Sequence, residues 1–360
     1  MPVELPVREG PASAGIVPTA GAKGSPAIDA MPVSLVLFLA QPYLAGTTCL
    51  DAVRVARQIY SDDHFCATLD ILGEDCDNVA DCESSVKNYK ELVDVICSAP
   101  VTCANAREQM TISMKPSMFS VVAPSAGSRA NSQLDEAYAR IKSVVDYAFH
   151  HQVNVTLEAE DHRWTDFQLE AYLSLVNEGY TNLGTVLQSR LFRTRDDIKR
   201  FDERMRVRLV IGIYNEAAEI AHTDKRVMKE LLVECAQELF KRGTYVELAT
   251  HDTACLASFF RKAVIPQRAP GSRFETQFLM GVPRRKIQES LISGSYFASW
   301  DKQLSQSELE HVRALAAAGI LVRLYLPFGE GRTAAAYCKR RLKANPNIIG
   351  YGIKNLLHIQ

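Results

Sequence analysis

The chain has 360 residues, 47% of them apolar and 23% charged, with 41 Lys plus Arg against 42 Asp plus Glu and a net charge of −1. These proportions exclude a chain disordered throughout, because enough apolar surface exists to offset the entropy of ordering. The near-zero charge supplies no bulk basic field for a phosphate backbone, so no nucleic-acid partner is expected.

Nine cysteines stand at irregular spacing, six of them between Cys49 and Cys103. An odd count without a CxxC pair does not describe a disulfide framework or a zinc site, so free thiols and no metal are expected. The longest apolar run, Val33–Ala40, is far shorter than the roughly 20 residues a membrane helix needs.

In chain order, residues 1–31 are rich in Pro, Ala, Gly and Ser without apolar period and read as a disordered leader. Their charges are scattered, unlike the basic start of a signal peptide. Residues 32–66 read as an N-terminal helical segment, and 67–360 as one unit of alternating strand and helix. Short apolar runs suited to buried parallel strands occur at 67–72, 111–114, 154–157, 182–187, 207–213, 245–249, 275–280 and 322–326. Between them, 134–150 and 225–241 are amphipathic and long enough to cross over a strand. Thr165 to Gln168 and Ser305 to Glu308 read as capping boxes, and Gly319 as the stop before the eighth strand. Eight such repeats predict an α/β fold, a closed (β/α)8 TIM-type barrel with extra N-terminal helices. A doubly wound sheet would carry a glycine fingerprint after its first strand, and no GxGxxG is present.

Barrel chemistry sits at the C-terminal rim of the strands. The second strand ends in Lys115, the third in Glu158, Glu160 and Asp161, and the fourth in Gln188. The fifth leads to Tyr214, and the sixth ends in Thr250, His251 and Asp252. The seventh carries Glu275 and Gln277, and the eighth runs Arg323, Tyr325, Pro327. Each has an ordinary reading. Lys115 could be a solvated loop lysine, Glu158 and Glu160 a surface pair, and His251 a core or loop histidine rather than a metal ligand. Arg208, inside an apolar run, needs a partner or a polar ligand atom, because an unpaired buried guanidinium is costly. Arg340 and Arg341 could be solvated, or could offer two planar forks to one carboxylate. Gathered at one rim, these groups describe a pocket for a small anionic ligand.

Nine segments stand out in order: 42–46 (PYLAG), 68–74 (TLDILGE), 112–115 (ISMK), 157–161 (LEAED), 186–188 (VLQ), 208–214 (RLVIGIY), 249–252 (ATHD), 274–281 (FETQFLMG) and 337–342 (YCKRRL). Together they resemble the proline dehydrogenase family. The resemblance implies a FAD-dependent barrel that oxidises L-proline to Δ1-pyrroline-5-carboxylate by hydride transfer to the flavin N5, the first step of proline catabolism. It implies that Lys115, Arg340 and Arg341 hold the substrate carboxylate, that Tyr325 packs on the proline ring, and that Tyr214 faces the substrate. By the same likeness Arg208 lies near the flavin N5 edge and Gln188 on the isoalloxazine. Thr250, His251, Ala159 and the backbone of Ile211, Gly212 and Ile213 touch the cofactor, and Glu158 is the acid beside the site.

The family pattern has Asp at Glu158, Lys at Ile211 and Ala at Ile213. These departures keep open another cyclic imino acid as substrate, or a degenerate barrel that binds a carboxylate without turnover. By the same resemblance, a tyrosine at 325 favours unsubstituted proline over hydroxyproline. The likeness is to the single-function form, so a separate pyrroline-5-carboxylate dehydrogenase would take the product and a membrane quinone the electrons. The expected location is cytoplasmic, with loose peripheral contact at the inner face of a membrane through the Val33–Ala40 stretch.

Overall fold

Eight strands carry side chains that alternate in polarity, and that alternation decides which face of the sheet closes inward. They are Cys66–Ile71 (β1), Thr111–Met114 (β2), Asn154–Leu157 (β3), Leu183–Gln188 (β4), Arg206–Val210 (β5), Tyr245–Ala249 (β6), Phe274–Leu279 (β7) and Val322–Phe328 (β8). The computed structural model describes residues 30–73, 75–124, 132–300 and 304–344, without the side chains of residues 39, 40, 332 and 340–344. Each strand pairs in parallel with the next, and β8 pairs with β1 to close the barrel.

The register puts Thr68, Asp70, Thr111, Ser113, Thr156, Gln188, Arg206, Arg208, Glu247, Glu275, Gln277, Arg323 and Tyr325 on one face. That face is the interior, where Thr68 and Thr111 share a hydrogen bond of 2.7 Å and Arg208 reaches Ser113 at 3.2 Å across the barrel. The other face, with Leu69, Ile112, Val155, Leu187, Leu209, Leu248, Phe278 and Leu326, joins the buried apolar layer under the helices. Barrel interiors are commonly filled by branched apolar side chains. Here ion pairs fill much of the space.

The floor of the barrel is such a network. Arg323 donates to Glu275 at 2.7 Å and to the carbonyls of Ala67 and Gln109 at 2.9 and 3.0 Å. Glu247 accepts from Arg206 at 2.7 Å and from Gln277 at 2.8 Å. Burial alone would raise the pKa of Glu247, but Arg206, Arg208 and Arg323 hold it below the usual carboxylate value. Glu275, Gln277 and Arg323, counted from sequence among the rim groups, therefore belong beneath the site. Gly184 leaves room for this packing, since a Cβ there would lie 2.9 Å from the Arg206 guanidinium carbon.

The helices are Val33–Ala40 (α1), Cys49–Asp63 (α2), Val79–Ser98 (α3), Ser132–His150 (α4), His162–Asn177 (α5), Lys225–Lys241 (α6), Thr253–Phe259 (α7), Arg285–Ile292 (α8), Gln306–Ala318 (α9) and Gly331–Ala344 (α10). Ser305 and Glu308 form the expected capping box of α9, and Gly319 ends it at φ +68°. The other box is corrected. Helix α5 begins at His162 behind Asp161, whose side chain accepts from the Arg163 amide at 3.0 Å. Thr165 lies buried inside the first turns, because Asp161 already satisfies the free amide end. The fifth strand is shorter than its apolar run, since Gly212 at φ +105° turns the chain out of the sheet.

Helix α1 packs Val36 into a small apolar cluster with Ala334, Ala335 and Cys338 of α10. Its Val33, Leu35 and Phe38 remain exposed. Among the described residues no helix is long and apolar enough to cross a membrane, and no cysteine pairs in a disulfide. The expected leader 1–31, apart from its last two residues, lies outside the described residues.

Candidate active site

Lys115 leaves β2 as the cap of a short turn, Pro116–Phe119, and its ammonium folds back into the barrel mouth. There it pairs with Asp70 of β1, at 2.8 and 3.1 Å to the two carboxylate oxygens. Asp70 is wholly buried and Lys115 nearly so, which removes the reading of a solvated loop lysine. Burial alone would lower the Lys115 pKa, but the charge and hydrogen bonds of Asp70 hold it above the ordinary lysine value. An ammonium has three donors, so Asp70 does not exhaust it.

Arg208 stands in the middle of β5 and points inward. Its guanidinium bonds Glu158, just past the end of β3, and lies 3.5 Å from Glu247 below. Glu158 is not a surface pair with Glu160, since the two go to different partners. Two carboxylates more than offset the effect of burial and keep Arg208 charged. Its Nη2 is buried and has no hydrogen-bond partner. The Tyr325 ring from β8 lies 5.2 Å from the guanidinium carbon and also interacts with Asp70. Burial, then Asp70 and Glu158, raise the Tyr325 pKa well above its usual value, so it stays a phenol. A continuous chain of groups thus runs Lys115, Asp70, Tyr325, Arg208, Glu158 across the mouth.

The loops after β4, β5 and β6 hold the remaining expected residues. Gln188 is buried and donates to the Glu160 carbonyl at 2.8 Å. Arg190 clasps the next loop, its amide donating to the Ile211 carbonyl at 3.2 Å and its guanidinium to the Tyr214 carbonyl. Ile211 packs on the core, whereas Ile213 is 42% exposed. Thr250 accepts from the Asp252 amide at 3.2 Å, and His251 accepts from the Leu279 amide at 3.3 Å, joining the ends of β6 and β7. Ala159, half-buried, lies between Glu158 and Glu160.

Arg340 and Arg341 lie in α10, but their side chains are outside the described residues. Three residues of this site were not singled out from sequence: Asp70, Arg190 and Tyr337. Asp70 carried a readable signal, because an acid inside a buried strand demands a cation. Tyr337, on α10 and buried, acts electrostatically on Lys115 and Tyr325. No local pattern distinguishes it from a core residue.

Gly212 explains how the β5 loop comes so close to Gln188. At φ +105°, a Cβ would stand 2.5 Å from Gln188 Oε1 and 2.7 Å from Arg190 Cδ. Gly212→Ala is expected to cost about 1–3 kcal/mol of stability, read by urea unfolding, and to displace the Gln188 amide.

A closed (β/α)8 barrel whose mouth joins two paired cations to buried carboxylates defines a barrel enzyme for a small polar molecule. Over residues 52–349 the sequence matches the family model described as Proline dehydrogenase, and the chain belongs to that family. It is 28% identical over 321 residues to the proline dehydrogenase of Deinococcus radiodurans, covering 89% of this chain and 90% of the relative. It is 26% identical over 319 residues to proline dehydrogenase 1 of Bacillus subtilis (strain 168), covering 88% and 90%. Among solved structures, proline utilization A (PutA) from Bdellovibrio bacteriovorus, inactivated by N-propargylglycine, superposes with a TM-score of 0.71 at 20% identity. A bifunctional PutA protein superposes with a TM-score of 0.65 at 21% identity. These matches cover 86% and 88% of this chain and 32% of each PutA chain, so the likeness is to about a third of those longer proteins and is one of fold.

Proposed function

We propose that this chain oxidises L-proline to Δ1-pyrroline-5-carboxylate, using FAD, as the first step of proline catabolism. The observation that carries the reading is the convergence of Lys115 and Arg208 in one barrel mouth, each with donors left over from its structural ion pair. The flavin, when bound, supplies the hydride acceptor.

The residues present fit such a group. Arg208 Nη2 is a buried donor without a partner, and the amide of Gln188 is braced by the Glu160 carbonyl. Gly212 brings backbone against that amide where a side chain could not pass. On this reading Gln188, Ala159, Ile211, Gly212, Ile213, Thr250 and His251 hold FAD. Arg208 stabilises negative charge, with Glu158 setting its orientation.

Charge balance supports the assignment of a further cation to the substrate site. Asp70 neutralises Lys115 and Glu158 neutralises Arg208, so an entering carboxylate would add an uncompensated buried charge. Arg340 and Arg341 follow Tyr337 by three and four residues in α10, the spacing that shares one helix face. Tyr337 faces Lys115, so the arginine pair is assigned to the carboxylate, with Tyr325 and Tyr214 against the ring. A carboxylate held beneath this packed helix would be shielded from water, which strengthens both interactions.

The electrons would pass to a membrane quinone and the product to a separate pyrroline-5-carboxylate dehydrogenase. The exposed Val33, Leu35 and Phe38 of α1 support loose peripheral membrane contact. The functional experiment is anaerobic mixing of the purified flavoprotein with L-proline. Bleaching of the flavin band is expected. Protein that holds no flavin, or that holds flavin left unreduced by proline, overturns the proposal.

A further inference from the structure

Glu160 is a buried carboxyl that the proposed chemistry does not use. It lies at the end of the β3 loop, 5% exposed, two residues after Glu158. Its two oxygens accept from the amide and the hydroxyl of Ser117, at 2.9 and 2.6 Å. Ser117 belongs to the short turn that Lys115 caps. The Glu160 backbone carbonyl accepts from the side-chain amide of Gln188 at 2.8 Å. One residue therefore ties the loop carrying the mouth lysine to the amide at the end of β4. We propose that Glu160 is a positioning residue, which sets Lys115 against Gln188 and so fixes where the substrate carboxylate sits relative to the cofactor. This inference rests on the functional reading above, because it takes Lys115 as a carboxylate contact.

The chemistry of the brace makes it tolerant of protonation. An ionised Glu160 accepts both Ser117 bonds. A neutral one keeps the amide bond and turns the second around, its O–H donating to Ser117 Oγ. Glutamine can do the same through its NH2 group, whereas alanine loses both bonds. What protonation changes is charge beside Lys115. Burial pushes the Glu160 pKa up to about 7, against the two Ser117 hydrogen bonds and the Lys115 charge, with Asp75 raising it further. The charged and titratable groups around it are Lys115 after β2, Asp75 after β1, Arg163 of α5 and Tyr89 of α3. As pH rises through about 7, Glu160 gains a negative charge that opposes an incoming carboxylate, so affinity falls while the brace persists.

The test compares Glu160→Ala, Glu160→Gln and Ser117→Ala in the flavin-loaded enzyme. It measures kcat and KM for L-proline from pH 6 to 9, and binding of cyclopentanecarboxylate, which has the ring and carboxylate but no amine to oxidise. Glu160→Ala is expected to raise KM and the cyclopentanecarboxylate Kd together by roughly tenfold, the effect of losing a well-placed charge-assisted hydrogen bond from Lys115 to the carboxylate, with a smaller change in kcat. Ser117→Ala should move both in the same direction. Glu160→Gln should restore the geometry, bind more tightly than wild type at pH 8, and lose the change in affinity near pH 7. If Glu160→Ala does not fold, Ser117→Ala and Glu160→Gln carry the test. Equal behaviour of the Gln and Ala variants, a kcat loss with unchanged KM, or a Glu160→Gln profile that keeps the wild-type inflection overturns the inference. Wild-type flavin that proline fails to bleach would instead overturn the functional reading, while cyclopentanecarboxylate binding would still decide the brace.

Discussion

Replacing Arg208 with methionine is expected to lower kcat/KM for proline by roughly a hundredfold or more and stability by about 3–5 kcal/mol. Both losses have one cause. Arg208 is nearly fully buried and lies between Glu158 above and Glu247 below. Methionine fills much of the same volume but strands Glu158 and removes one of the cations around Glu247, which keeps its pair with Arg206. The stability loss should be largest at neutral pH and shrink in acid, where a stranded carboxylate can take up a proton. Stopped-flow flavin reduction gives the first number and urea unfolding the second. Arg208→Lys keeps the charge but not the planar fork, so it should recover part of the stability and little of the rate. A folded methionine variant with wild-type kinetics would remove Arg208 from the site.

The second large effect is at Lys115. Lys115→Met leaves Asp70 buried without a cation, at a cost of about 3–5 kcal/mol. It should also raise KM for proline by roughly ten- to a hundredfold, the worth of a charge-assisted hydrogen bond. The double variant Asp70→Asn, Lys115→Met separates the two roles. It removes both charges, so most of the stability should return, while KM stays high. Asp70→Asn alone has a pH signature. Asp70 is what holds the Lys115 pKa up against burial. Without it burial pulls that pKa down, so the alkaline loss of proline affinity should begin at a lower pH than in wild type. Full recovery of KM in the double variant would show that Lys115 serves the fold alone.

The barrel was legible because its signal is repeated and local. Strands 111–114, 154–157 and 245–249 stand where their apolar periods put them. Register was less visible, since a boundary shift of one residue does not change a short apolar run. The fifth run extended to residue 213 on hydrophobicity alone, and the backbone turn at Gly212 ended it sooner. Lys115, Glu158, Arg208 and Tyr325 were each marked by strand position, and the structure joins them. Their ordering into floor and mouth could not be seen, because Glu275 and Arg323 differ from mouth residues only in height along the barrel axis.

The amino-acid order by itself determined the alternation of strand and helix, the polar identity of alternate strand positions and the motifs shared with the family. Those properties depend on neighbours within a few residues, where periodicity and capping act. Only the tertiary structure decided which charge meets which. Lys115 is 45 residues from Asp70, Arg208 is 50 from Glu158, and Ser117 is 43 from Glu160. Such partners are chosen by barrel closure, because a buried charge must take whichever opposite charge the shared interior brings within reach.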